Sequence, residues 1–207
     1  MADILGVVGN KQHGKDTIGR LLYSYHGYTR IAFADELKYY VHDIFSVPFH
    51  NLYGTEEQKN EVLPHLGMSG RRACQILGTE VGRAISKTVW VNRVVSAIRG
   101  DTPIRIPVTQ VHPEKPKRFF ITLDPSVQRK WVVTDVRYQN EADELRKVAK
   151  ELGKTCVIIR VVRPEVEVDL SHTSERELQN IDVDDWVHND GTVEDLHQIL
   201  KRKLALE

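Results

Sequence analysis

Cysteine is nearly missing from this chain of 207 residues: there are two, Cys74 and Cys156, far apart and without metal-type spacing. That excludes a disulfide framework and points to reduced thiols in a cytoplasmic protein. Charge of one sign is missing too, because 29 lysines and arginines balance 29 aspartates and glutamates. Without a global field, no general attraction to nucleic acid or to a membrane surface is expected, and any anion binding must be local. The local basic run around Lys115, Lys117, Arg118, Arg129 and Lys130 reads as a solvated surface. No apolar run approaches the ~20 residues of a membrane helix, and Met1-Ala2-Asp3 leads straight into a strand-like segment, so neither a membrane span nor a leader is expected. The nine histidines show no H-E-x-x-H spacing, which gives no reason to assign zinc, and His13 reads as a solvent-tolerant loop position. Repeats and low-complexity tracts are absent. The length suits a single domain with a small insertion.

What is present is concentrated near the start. From Leu5 to Thr17 an apolar run breaks into a glycine-bounded loop closed by a lysine, and Gly9, Gly14 and Lys15 fit G-x-x-x-x-G-K. Small residues there let backbone N–H groups turn inward on phosphate oxygens while the lysine reaches the β- and γ-phosphates. The anion then meets a helix N-terminus, where unpaired donors and the macrodipole favour negative charge. The predicted nucleotide contacts are Gly9, Asn10, Lys11, His13, Gly14, Lys15, Asp16 and Thr17. Asp16 stands where Ser or Thr usually follows the lysine, the hydroxyl arriving at Thr17. The Lys-Gly-Thr of adenylate-type kinases has the same offset, and either residue is a candidate metal contact.

Further along, Thr29–Phe33 reads as a second strand and Ala34–Val41 as its helix, while Ser46–Gly67, broken by Pro48 and Pro64, reads as a surface excursion with short helical pieces. Ser69 caps a helix predicted over Gly70–Ile85, with Ala73, Ile76, Leu77, Val81 and Ile85 as its buried stripe. Prolines between 101 and 128 surround two β-type pieces, predicting an inserted hairpin. Trp131–Asp135, Cys156–Val162 and Asp185–His188 are the remaining strands, with helices over Asn140–Leu152 and Val193–Leu204. Strands alternating with helices predict an α/β fold, a five-stranded parallel sheet with helices on both faces.

Ligands of such sheets bind beyond the strands' carboxyl ends. The polar residues there are the loop itself, Asp35 and Lys38, Asp135 and Arg137, Arg163, and Asn189 with Asp190. Asp135, closing an apolar strand, suits a carboxylate that holds hydrated Mg²⁺ opposite Lys15. Arg71, Arg72 and Arg83 cluster, and guanidinium forks match phosphate oxygens bidentately. The charged, non-periodic Arg163–Ile181, with Arg163 and Arg176 and with Arg160 just upstream, suits a closing lid.

Four blocks now carry a resemblance: Phe33-Ala34-Asp35-Glu36-Leu37-Lys38, Gln75 through Arg83, Val133 through Glu141, and His172-Thr173-Ser174-Glu175. In order, and together with Asn189-Asp190-Gly191-Thr192, they resemble the bacteriophage-type deoxynucleoside monophosphate kinases over nearly the whole chain. Glu36 departs from an expected proline and Thr173 from an expected alanine, both bearing on base preference. The resemblance implies the three-layer P-loop nucleoside monophosphate kinase fold with a small lid: a monophosphate region near 34–100, a hairpin insertion near 101–128 and a lid near 163–181, within one kinase domain. It implies transfer of the γ-phosphoryl of ATP to a deoxynucleoside monophosphate with Mg²⁺, in nucleotide supply for DNA synthesis. The other readings are a small-molecule kinase of the dephospho-coenzyme A kinase pattern and a non-kinase nucleotide-binding module. Lys15, Asp135, Arg163 and Arg176 are the expected catalytic residues, and Asn189, Gly191 and Thr192 join the ATP side. Asp35, Lys38, Arg71, Arg72, Gln75, Thr79, Glu80, Arg83, Trp90, Arg137, Asn140 and Glu175 are the expected acceptor contacts, and a homodimer is left open.

Overall fold

The computed structural model describes residues 2–110, 117–167 and 177–206. In chain order the elements are β1 (Ile4–Val8), α1 (Lys15–His26), β2 (Tyr28–Ile31), α2 (Phe33–Phe45), α3 (His50–Tyr53), α4 (Glu56–Asn60), β3 (Val62–Leu63), β4 (Met68–Ser69) and α5 (Gly70–Gln75). A π-helical stretch, Ile76–Gly82, leads into α6 (Arg83–Ile85), α7 (Val89–Arg99), β5 (Ile104–Gln110), β6 (Lys117–Leu123), β7 (Lys130–Val136), α8 (Gln139–Glu151) and β8 (Cys156–Val162). A 3-10 turn, Leu178–Asn180, precedes β9 (Asp185–His188) and α9 (Val193–Leu204). The chain divides into two compact units, the second made of Phe33–Ala97 and Thr102–Pro125.

The first unit is built on a five-stranded sheet in the order β2-β7-β1-β8-β9, with every pair parallel. All five residues of β1 are buried, as a central strand covered on both faces requires. Alternation sorts them: Leu5 and Val7 join Ile18 and Leu22 of α1 and Leu196 and Leu200 of α9 in one cluster. Gly6 points the other way, where an added Cβ would stand 3.3 Å from Leu145 Cδ1 of α8. The predicted fold class is therefore what the chain adopts. Both cysteines are free, and burial pushes the Cys74 and Cys156 thiols up to about 11 and about 12. No helix among the described residues is long and apolar enough to cross a membrane.

The second unit gathers α2 to α7, the β3–β4 pair and the β5–β6 hairpin around Leu37, Val41, Val47, Leu52, Leu63 and Ala73. The Ser46–Gly67 stretch, expected as a surface excursion, supplies Val47, Leu52 and Leu63 to that core. The hairpin is antiparallel, pairing Ile106 with Ile121 and Pro107 with Phe120, and the Phe120 ring packs 5.3 Å from both Tyr39 and Phe49. Two local expectations are corrected. The second strand ends at Ile31, because Phe33 already opens α2 and is buried there. The helix over 70–85 is not one α-helix. The wider π turns rotate the apolar face, so Val81 and Ile85 are exposed while Gly78 and Gly82 face inward.

Glu36, the departure from the family pattern, is 1 % exposed and accepts hydrogen bonds from the Arg105 backbone N–H at 2.8 Å and from Arg93 at 3.3 Å. It ties α2 to α7 and β5, a packing role. Removing one member of a buried charged network leaves the others uncompensated. Glu36→Ala is therefore expected to cost about 2–4 kcal/mol in urea unfolding, and an unfolding midpoint equal to that of the unaltered protein would contradict the role.

Candidate active site

The carboxyl ends of the sheet converge on one loop in the first unit. β1 ends at Val8 and the chain passes through Gly9–Gly14 into α1. Gly9 is required by proximity: an added Cβ would lie 2.7 Å from the Val161 carbonyl oxygen of β8. Gly14 is required by backbone, at φ 107°, and by the Asn189 amide, 2.5 Å from where its Cβ would stand. The α1 N-terminus therefore opens behind a left-handed residue with no side chain to shield it. Lys15 Nζ donates to the Gly9 and Asn10 carbonyls at 2.7 Å each, which keeps the ammonium folded over the loop.

Neighbouring strands brace the loop. Asn189, just past β9, donates from its backbone to the Val162 carbonyl at 2.8 Å and from its side chain to the His13 carbonyl at 2.9 Å. The Arg163 backbone N–H, just past β8, donates to His13 Nδ1 at 3.3 Å. His13 is 3 % exposed, which corrects its reading as a solvated position. Asn189 thus shapes the loop from behind. Thr192 caps α9 in a reciprocal box with Asp195, and a Cβ on Gly191 would meet Asp195 Oδ2 at 2.7 Å. Lys11 is exposed, Asp16 accepts from Arg30 at 2.8 Å, and the Thr17 hydroxyl accepts from Arg20 at 3.4 Å.

Asp135 is the penultimate residue of β7, whose Val136 is the register partner of Val8. Asp135 therefore lies on the strand next to the one that feeds the loop. Sequence reasoning passed over Glu141. It is 5 % exposed, and its Oε2 accepts the Arg137 and Tyr138 backbone N–H groups at 2.7 and 3.2 Å, fixing the turn that follows Asp135. A glutamate three residues past the helix-start residue Tyr138 was the available signal. Asn140 lies in the first turn of that helix, and Arg137 is exposed. Arg160 is not a lid arginine. It is buried within β8, donates to the Leu178 and Ile181 carbonyls at 2.8 and 2.9 Å, and burial holds its pKa below the usual arginine value. Glu175 and Arg176 lie outside the described residues.

The remaining expected contacts belong to the second unit. Asp35 is buried and accepts from the Tyr53 hydroxyl at 3.0 Å, and Lys38 Nζ lies 4.1 Å from the centre of the same ring. Arg72 pairs with Glu80, whereas Arg71 turns to Glu56 at 2.6 Å, so the three arginines are not one cluster. Trp90 Nε1 donates to the Gly78 carbonyl at 3.0 Å. Arg83 is half-buried, and Gln75 and Thr79 are exposed.

Chemically, the first unit brings a helix N-terminus, the Lys15 ammonium and one strand-end carboxylate towards one loop, a set whose chemistry is suited to polyphosphate. No group of three His, Cys, Asp or Glu among the described residues could cage a metal ion. Because Asn189 carries the loop's brace, Asn189→Ala is expected to weaken an ATP analogue about tenfold in equilibrium titration, from loss of one buried hydrogen bond. Unchanged affinity would make the brace dispensable.

Residues 117–200 match the family model for deoxynucleotide monophosphate kinase. A protein of Acanthamoeba polyphaga mimivirus, described as "Putative deoxynucleotide monophosphate kinase", is 29% identical over 196 residues, covering 94% of this chain and 92% of that protein. Two solved structures are similar at low level. The Mycobacterium tuberculosis APS kinase CysC Cys556Ala mutant has a TM-score of 0.39 at 10% identity, with 98% of this chain and 96% of that one covered. TT1252 from Thermus thermophilus has a TM-score of 0.44 at 17% identity, with the same coverages. Likeness at that level carries no functional argument, whereas the two sequence matches bear out the resemblance carried by the motif blocks. The chain is thus related to the deoxynucleotide monophosphate kinases, by a family match over residues 117–200 and by a relative aligned along nearly its full length.

Proposed function

We propose that the protein is a deoxynucleoside monophosphate kinase that moves the γ-phosphoryl group of ATP to a deoxynucleoside monophosphate, yielding ADP and a deoxynucleoside diphosphate. The observation that carries this is the braced loop: Gly9 and Gly14 are both sterically obligatory, and Lys15 is folded over the loop's own carbonyls. A turn that merely reversed the chain would need neither the lysine nor the two braces from β8 and β9.

Phosphoryl transfer asks a protein chiefly for positioning and for charge stabilisation. The loop amides hold the donor's β- and γ-phosphate oxygens, and Lys15 exchanges the Gly9 and Asn10 carbonyls for them. Mg²⁺, when bound, would supply charge neutralisation on the phosphates, and Asp135 with Asp16 or Thr17 are the residues that would hold it. Glu141 keeps Asp135 and Arg137 in place by fixing the turn between them and α8. Arg163, whose backbone N–H donates to His13 in the loop, would use its guanidinium to meet the charge that develops there. Asp35, Lys38, Arg72 and Arg83 of the second unit serve the acceptor. Nucleotide supply is the setting for such an activity, in the cytoplasm where ATP and the monophosphates occur.

A coupled ADP-release assay across a panel of nucleoside monophosphates tests the reading, and turnover that does not depend on any acceptor would overturn it. Lys15→Ala is expected to lower kcat by about 10²–10³-fold with the fold retained; near-normal turnover would remove the loop from the chemistry. Asp135→Asn should lose activity comparably and regain part of it as Mg²⁺ is raised, and an unchanged Mg²⁺ dependence would make Asp135 structural.

A further inference from the structure

Between Gln75 and Arg83 the second unit does something locally unfavourable. Seven residues, Ile76–Gly82, adopt π-helical bonding, and two of them are glycines. Runs of π turns are rare, and glycine in a helix is disfavoured by roughly 1 kcal/mol per residue relative to alanine. Such a stretch persists only where tertiary contacts hold it. Three contacts do so here. The Trp90 indole N–H donates to the Gly78 carbonyl at 3.0 Å. Gly78 seats against Leu37, whose Cδ2 would lie 2.7 Å from an added Cβ. Gly82 seats against Trp90, with ring atoms at 2.9 and 3.1 Å from its Cβ position and the Leu77 carbonyl oxygen at 2.8 Å.

The register has a geometric consequence eight residues apart. Eight α-helical steps would leave Arg72 and Glu80 roughly 80° apart around the axis, and two turns apart along it. With the second half of that interval in the wider i→i+5 turn, the two positions fall nearly on one line and closer along the axis. Arg72 Nη1 does pair with Glu80 Oε1, although both side chains are half exposed. The pair is thus a product of the π register. It occupies one of the five N–H donors of the guanidinium and sets the direction of the others.

We propose that Trp90 is a positioning residue: its indole N–H holds Ile76–Gly82 in π register, and that register sets Glu80 beside Arg72 so that the remaining guanidinium donors are aimed at the acceptor's phosphate. This rests on the kinase reading above and replaces a direct substrate contact for Trp90 and Glu80 by an indirect one. An exposed arginine on a regular helix would sample many rotamers, and the bidentate fork would form only after that freedom was lost.

The test is steady-state kinetics on the whole protein with Trp90→Phe, which keeps an aromatic ring and deletes the donor. The expected result is a monophosphate KM raised about tenfold, with the KM for ATP and kcat each within about twofold. In a double-mutant cycle with Arg72→Lys, Trp90→Phe should add little, because the fork it positions is already gone. Equal effects on both KM values, or full additivity, would overturn the proposal. Glu80→Gln leaves the packing of Gly78 and Gly82 untouched and carries the test if Trp90→Phe does not fold. It should raise the monophosphate KM several-fold while leaving that for ATP unmoved, and no change would overturn the proposal. Absence of acceptor-dependent turnover in the unaltered protein would instead overturn the kinase reading beneath it.

Discussion

Everything in the first unit depends on a close approach of backbone to backbone, Gly9 against Val161. A side chain at that position would push the loop off the end of β8 by most of an ångström, and interiors packed to crystal density do not absorb that without moving their neighbours. Once the loop lies there, its remaining polar groups find partners on the same strands. The His13 carbonyl and ring meet Asn189 and the Arg163 backbone, so β8 and β9 both end on the loop fed by β1. A parallel sheet delivers this arrangement because its strands all end on one side.

The second unit shows a different economy. Its functional candidates are held by pairs of opposite character: Asp35 with Tyr53, Arg72 with Glu80, Lys38 over an aromatic face. Half-exposed ion pairs contribute at most about 1 kcal/mol to stability, so Arg72 and Glu80 are better understood as orientation than as cement. Stability comes instead from the apolar cluster around Leu37 and from the buried Glu36 network, which joins α2, α7 and the hairpin. A carboxylate where the resemblance led to an expectation of proline thereby reinforces packing.

The most legible features of the chain were those whose physics is local. A glycine-bounded loop between an apolar strand and a helix, continuous apolar strands, and the Ser69 cap can be read without neighbours, and each stands where the sequence placed it. The resemblance to deoxynucleoside monophosphate kinases was legible for the same reason, since it lies in short contiguous blocks. What was not legible depended on partners distant in sequence. His13 is buried because residues 163 and 189 arrive beside it; Arg160 turned inward because Leu178 and Ile181 offered carbonyls; Val81 and Ile85 turned outward because Trp90 holds a π register.

By itself the sequence determined the α/β class, the glycine-bounded loop and its lysine, and the order of strands along the chain, because these follow from periodicity and from the steric demands of single residues. Only the tertiary structure decided the strand order β2-β7-β1-β8-β9, the bracing of the loop by Asn189, the burial of Glu36 and Glu141, and the pairing of Arg72 with Glu80. Those outcomes turn on which side chains and carbonyls meet across long stretches of chain, and a hydrogen bond or a close contact between such groups has no counterpart in local pattern.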